Sequence, residues 1–257
     1  MITISEKRGP FSIKRIWFKN DSCSNCTLLR LMRVNEPSES KNAYNELSYT
    51  PISDLTLSEE NLLMAVRKTV RNEIRRAEKD NLSLYHFDSE DIKNNPESVE
   101  EFELAYKKFA ADLNNEMVSS AYSREKINQY LDAKCFFLTE TKKDSLSVYH
   151  AYVYDEDEAV LIYSVSDFRD DSVDRNLAGR ANKYLHYQDM LMFKRMGLQV
   201  YDWGNISDPE EPNGIDNFKL SFGGTVTKKY NILIGCSFIG RILVRYYRKN
   251  KEGGGRV

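Results

Sequence analysis

One stretch limits the possible folds more than any other. Residues Asn176 to Met196 carry helical periodicity and lead, across Gly197, into the strand-like run from Leu198 to Ile206. Before the helix lie three more strand-like runs, Cys135–Glu140, Leu146–Tyr154 and Ala159–Val165, separated by the charged turns Thr141–Ser145 and Asp155–Glu158. Three successive antiparallel strands that feed a helix and then a neighbouring strand require a mixed sheet with helices on both faces. The last strand closes on Asp202-Trp203-Gly204, and an acidic loop then leads to Phe218-Lys219-Leu220-Ser221-Phe222-Gly223-Gly224. Side chains at the end of a central strand can meet a ligand, and glycines let backbone come close. The order is one that builds a ligand site.

The rest of the chain supplies the frame. Strand-like runs at Met1–Ser5, Ser12–Lys19 and Thr27–Asn35 open it, and Pro37–Thr50 reads as a polar loop. Ser58 is an N-cap for one long helix reaching about Asn81, with Leu62, Leu63, Val66, Val70, Ile74 and Ala77 as its buried stripe. Arg67, Arg71, Arg75 and Lys79 recur every four residues and form a basic line, whose plain reading is a solvated helix face. A strand at Leu82–Phe87, an acidic loop and helices at Glu97–Met117 and Arg124–Lys134 follow. A short helix near Asp216–Ser221 and a strand at Thr225–Leu233 come after the main helix. A terminal helix around Ser237–Arg248 places Ile234, Phe238, Ile242 and Tyr246 in line. Packing on the sheet is the default for that line, and shallow docking on a membrane surface is the alternative. A boundary near residue 81 gives an N-terminal β-rich segment with its Arg-rich helix (1–81) and a core (82–257).

Composition excludes several classes. Charged residues make up 30% and the net charge is −2, so binding nucleic acid through bulk charge is not expected. No charged leader followed by an apolar core opens the chain, and the four cysteines are too few for a disulfide scaffold. A reduced, cytoplasmic protein is expected. Arg241 and Arg245 interrupt the longest apolar stretch and argue against a membrane span. Cys23-x-x-Cys26 has the spacing of half a zinc site, but no second pair or ligating His follows, so no metal is expected.

The helix Leu62–Asp80, with its run Arg67-Lys68-Thr69-Val70-Arg71-Asn72-Glu73-Ile74-Arg75-Arg76, resembles the Arg-rich helix of FemAB-like proteins. Tyr201-Asp202-Trp203-Gly204-Asn205-Ile206 and Phe218–Gly224 resemble that family's closing signature, over roughly residues 50–235. The resemblance implies a GNAT fold, an α/β mixed sheet, here with a partial second GNAT-like half at the N-terminus. It also implies a transferase that acylates an amino group. The better-known members use aminoacyl-tRNA and carry two full GNAT-like domains, some with a helical arm; this chain has room for one complete copy and a partial one. It is most similar to single-copy relatives in surface-polysaccharide (O-antigen and capsule) pathways. Those are acyl-CoA-dependent N-acyltransferases that act on nucleotide-linked amino sugars, such as dTDP-linked amino-dideoxyhexoses. The alternatives are an aminoacyl-tRNA-dependent peptidoglycan aminoacyltransferase and a non-catalytic domain binding an anionic partner. The expected partners are therefore two small molecules, with acyl-CoA as co-substrate and weak peripheral membrane contact as an added possibility.

Amide formation needs a held donor, a neutral amine near the carbonyl and a route for its proton. In a GNAT fold the donor pyrophosphate sits at the N-terminus of the helix after the fourth core strand, where free N–H groups favour anions. Asn176, Ala178, Gly179, Arg180 and Ala181 occupy that place, and Asn176-x-x-Gly179-x-Ala181 resembles the family's motif there; an ordinary helix start with small residues reads the same. Ser164, Val165 and Ser166 would offer backbone groups to the thioester. Asp202 is the first candidate to orient the acceptor amine or take its proton; a hydrogen bond to the following loop is the structural alternative. His186, three residues before Asp189, and His150 are the other candidate bases, against satisfied buried histidines. Asp167 is placed on the substrate side or as a loop cap. Lys219 matches the family's Lys near the closing glycines, which the resemblance associates with the acceptor phosphate; Arg71 or Arg75 could grip that group as well, and Asn205 is placed with the substrate-binding residues. No Tyr lies between Trp203 and Phe222 to protonate a leaving thiolate; Tyr230 substitutes, or the thiolate leaves to solvent.

Overall fold

The structure is a computed structural model that describes residues 1–22, 25–113, 121–166 and 174–253. Its strands are β1 (Ile2–Arg8), β2 (Phe11–Trp17), β3 (Leu28–Val34), β4 (Ala43–Asp54), β5 (Ser83–Phe87), β6 (Phe136–Lys143), β7 (Leu146–Tyr154), β8 (Glu158–Ser166), β9 (Val200–Asp202) and β10 (Thr225–Gly235). Its helices are α1 (Glu59–Ala65), α2 (Lys68–Ala77), α3 (Ser89–Asn94), α4 (Glu97–Leu113), α5 (Arg124–Asp132), α6 (Arg175–Arg195), α7 (Gly214–Leu220) and α8 (Phe238–Gly253). The chain divides into two compact units, residues 1–50 with 226–257 and residues 51–225. The division differs from a boundary near residue 81 because the last strand and helix of the chain join the N-terminal strands.

In the first unit the strand order is β1-β2-β3-β10-β4. β1 and β2 are antiparallel, β2 and β3 run parallel, and β10 lies antiparallel to β3. Ile16, Leu29, Leu31, Val34 and Ile232 fill one face. On the other, Ile13, Leu28 and Leu233 pack against Leu243 and Val244 of α8. Gly240 sets this docking: a Cβ there would overlap the carbonyl oxygen of Thr27, so only glycine lets the helix come so close. The inward side of α8 is therefore Gly240, Leu243 and Val244. The line expected to pack on the sheet is turned outward at Phe238, Ile242 and Tyr246, and Ile234 belongs to β10.

The expected loop Pro37–Thr50 is instead half occupied by β4. Asn45, Glu46 and Leu47 are all exposed and Pro51 sits within the strand, so neither alternation nor composition marks it. The end of β4, in the second unit, pairs antiparallel with β9 through Ile52↔Asp202, Ser53↔Tyr201 and Asp54↔Val200.

The second unit follows the expected order closely. β5, β6, β7 and β8 are antiparallel neighbours, and β9 returns parallel to β8. Parallel neighbours need a crossover, which α6 supplies. α1, α2 and α6 bury Leu62, Val66, Val70, Ile74, Met190 and Phe193 against Phe137, Tyr152, Tyr201 and Trp203. On the opposite face Phe102 and Tyr106 of α4 meet the rings of Tyr149 and Tyr163. The architecture of this unit is a mixed sheet with helices on both faces.

Two helical expectations are corrected. The long helix from Ser58 is broken at Val66 and Arg67, both outside helical backbone. Arg67 N–H donates to Ser221 O at 2.8 Å, and Gly223 (φ 80°) lies so close to Ala65 that any Cβ would overlap its carbonyl oxygen. The closing glycines therefore admit protein backbone at this point. The acidic loop after β5 contains α3, started by a reciprocal cap between Asp88 and Asp91.

Candidate functional site

Three sequence patterns converge where β8 outruns its neighbour. β8 and β9 pair only from Glu158↔Val200 to Val160↔Asp202, and β8 continues to Ser166. Along its other edge, Leu161 faces Tyr152 while Tyr163 faces Ala151, which leaves Ile162 as the extra residue of a β-bulge. The bulge exchanges the faces of the strand. Beyond it Ser164 stands opposite His150 and Ser166 opposite Val148, on the side covered by α6.

α6 answers with Ala178, Asn182, His186 and Asp189 at helical spacing, so all four share one face. His150 and Tyr152 alternate on β7 and point at that face, and Tyr201 comes from β9. Asp189 Oδ2 accepts from His150 Nδ1 at 2.7 Å and from the Tyr152 hydroxyl at 2.5 Å. Because Tyr152 gives its proton to the carboxylate, Tyr201 donates to the Tyr152 oxygen at 2.8 Å. His186 Nδ1 then donates to Tyr201 at 2.9 Å. Every donor in this chain points towards one carboxylate. His150, His186, Asp189, Tyr152 and Tyr201 are all buried, and the two imidazoles stack with centroids 3.8 Å apart. Among the described residues Asp189 Oδ1 has no hydrogen-bond partner, a cost that a buried carboxylate seldom bears without use.

Burial lowers the His186 pKa well below the imidazole norm, with the His150 ring and the Lys219 ammonium adding to the effect. The phenols of Tyr152 and Tyr201 are pushed far up, first by burial and then by the Asp189 charge, and keep their protons.

At the outer end of the network, Asn182 Oδ1 lies 2.8 Å from His150 Nε2. Asn182 is also part of the wall of a cavity of about 270 Å³, with Phe109, Ser166, Ala178, Gly179, Lys183 and Phe218. Lys183 Nζ is held by Glu73 at 2.5 Å, and the neighbouring Arg180 is held by Asp80 at 2.9 Å. A cavity of this size has room for an acyl or aminoacyl group.

The predicted residues separate into those at the cavity and those elsewhere. Ser166, Ala178 and Gly179 line it, and His150 connects to it through Asn182. Ser164 lies opposite His150 in the sheet, while Val165 and Ala181 are core residues. Asn176 is exposed, with its N–H capped by Asp174 Oδ1 at 2.8 Å. Asp202 is buried, accepts from Gly204 N–H at 2.8 Å and is not among the cavity residues; it braces the turn that follows it. Lys219 donates to Asn205 O at 2.6 Å, beside Phe218. Arg71 caps the broken helix through Met64 O at 3.1 Å, and Arg75 is exposed; neither lines the cavity. Asp167 and Cys23 fall outside the described residues. Asn182, Tyr152 and Tyr201 were not singled out from the sequence, although Asn182, His186 and Asp189 show their shared face through spacing alone.

His150, His186 and Asp189 also place three ligand-type atoms within 4.8 Å of one another. Hydrogen bonds occupy both Nδ1 atoms and His150 Nε2.

No protein-family model matches the chain, and no curated protein matches its sequence. Solved structures do share its fold. The C-terminal domain (DUF2156) of a putative lysylphosphatidylglycerol synthetase from Agrobacterium fabrum superposes with a TM-score of 0.61 at 10% identity, covering 96% of this chain and 84% of that one. FemX gives 0.59 at 14% identity over 89% of this chain and 83% of its own. L-PGS from Bacillus licheniformis gives 0.52 at 11% identity, covering 94% and 84%. At these identities the likeness is one of fold, and the fold is FemAB/GNAT-like.

Proposed function

We propose that this protein is an acyltransferase that moves an acyl or aminoacyl group from an activated donor to an amine. The observation that carries the reading is the cavity on the first turns of α6, reached by a buried hydrogen-bond chain through Asn182. In this reading the acyl group enters beside Gly179 and Ser166. The Asn182 amide, fixed by His150, gives an N–H to the acyl oxygen as negative charge builds there. The C–N bond forms as the donor's C–S or C–O bond breaks; the amine's surplus proton goes to solvent and the leaving group takes one back. The His150–Asp189 pair holds Asn182 in place. Lys219 and Asn205 stand on the acceptor side, where a lysine suits a phosphate.

Two donors fit this chemistry. Acyl-CoA with a nucleotide-linked amino sugar is one. An aminoacyl ester, as on tRNA, is the other, and Asp174 favours it: its carboxylate already caps the α6 N-terminus where a coenzyme diphosphate would rest. The fold shared with FemX and with a lysylphosphatidylglycerol synthetase, named for a lysyl-carrying lipid product, agrees with that choice. Single-turnover assays with each donor class and an amine acceptor test the proposal. Transfer from one class, reduced about a hundredfold in Asn182→Ala with folding intact, is the expected result. Equal turnover in wild type and Asn182→Ala would remove the site from the reaction.

A further inference from the structure

We infer that α8 lies on the surface of an anionic lipid bilayer. Its outward face carries four large apolar side chains, Phe238 at 77%, Ile239 at 54%, Ile242 at 50% and Tyr246 at 66% exposure. Phe238, Ile242 and Tyr246 follow one another at four-residue intervals and form a stripe along the helix. Isolated exposed apolar residues are ordinary, but a continuous stripe on one helix marks an interaction surface. The docking of Gly240 against Thr27 fixes this orientation, so the stripe has no route inward without lifting the helix from its sheet.

Charge identifies the occupant. Arg241, Arg245 and Lys249 form a second stripe at the same spacing beside the first, and all three are exposed. From Ile232 to Lys251 the sequence contains no Asp or Glu. Of the five cations there, Arg248 donates to Ala43 O and Lys251 pairs with Glu46 at 3.6 Å. Arg241, Arg245 and Lys249 make no ion pair among the described residues. An apolar stripe bordered by unpaired cations matches the boundary of a bilayer, where aromatic and aliphatic groups enter the acyl layer and arginines meet lipid phosphates. No helix among the described residues is long and apolar enough to cross a membrane, so α8 lies along the surface.

Co-sedimentation of the full chain with vesicles tests this. Vesicles of equal parts phosphatidylserine and phosphatidylcholine are compared with pure phosphatidylcholine, at about 0.1 M and about 0.5 M salt. Binding to the anionic vesicles alone, weakened at least tenfold by high salt, is expected. Phe238→Ser with Ile242→Ser, and separately Arg241→Glu with Arg245→Glu, should each reduce it at least tenfold with the melting temperature unchanged. Leu104→Ser, which alters an exposed leucine on α4, should leave it intact. Absence of vesicle binding, or equal binding by all variants, overturns the inference. So does a loss of self-association in the Phe238/Ile242 variant without any change at vesicles, which would assign the face to a second copy of the chain.

Discussion

His186 is a histidine that folding keeps neutral, and this has a consequence for stability. Burial, the His150 ring and the Lys219 ammonium hold its pKa well below about 6.5, the value of a free imidazole. Above that pH neither the folded nor the unfolded chain binds the proton. Below it the unfolded chain takes the proton and the folded chain refuses it, so stability falls as pH falls. This single group contributes a slope of up to about 1.4 kcal/mol per pH unit below about pH 6.5. Urea unfolding between pH 7 and pH 5 should show that slope, and His186→Gln should flatten it by close to one proton. Identical slopes in the two proteins would mean that His186 titrates freely in the fold. Gly179 supplies a second residue-level test. A helical glycine costs about 1 kcal/mol relative to alanine, and an added Cβ would meet only Lys183 Nζ, at an ordinary 3.8 Å. Gly179→Ala should therefore stabilise the fold while taking a methyl's volume from the cavity and raising the donor KM about tenfold. An unchanged KM would show that no donor passes Gly179.

Among the elements, those written in local periodicity were legible and those made by distant contacts were not. The run β6–β7–β8 could be read because its strands are buried on both faces and appear as near-continuous apolar runs, and α6 because its buried residues recur at helical spacing. The break between α1 and α2 could not, since Val66 and Val70 keep the helical spacing. What interrupts the helix is Gly223, remote in sequence, pressed against Ala65. Gly223→Ala combines that overlap with a left-handed backbone and should cost about 2 kcal/mol or more in thermal unfolding. A loss below about 0.5 kcal/mol would show that the α1–α2 break gives way freely. β4 was hidden by Pro51 and by three successive exposed residues. The bulge at Ile162 is equally silent in an apolar run, yet it decides that Ser164 and Ser166, not Val165, face α6.

At the scale of the whole molecule, the order of element types was readable and the grouping of elements was not. The chain returns β10 and α8 to its N-terminal strands, and only strand pairing records that return. The same limit governs the site. His186 and Asp189 share a face through their spacing, but the partners that give them meaning, His150, Tyr152 and Tyr201, come from other strands. Asp202 stands out in the sequence because a carboxylate at a strand end is costly, and the structure gives it the Gly204 N–H as one partner. A crystal structure of the protein with a non-hydrolysable donor analogue, an acyl thioether or an aminoacyl amide, tests the placement of the reaction most directly. The acyl group should occupy the space bounded by Phe109, Ser166, Gly179, Asn182 and Phe218, with its carbonyl oxygen about 3 Å from Asn182 Nδ2. An analogue bound at saturation anywhere else, with that cavity left vacant, would contradict it.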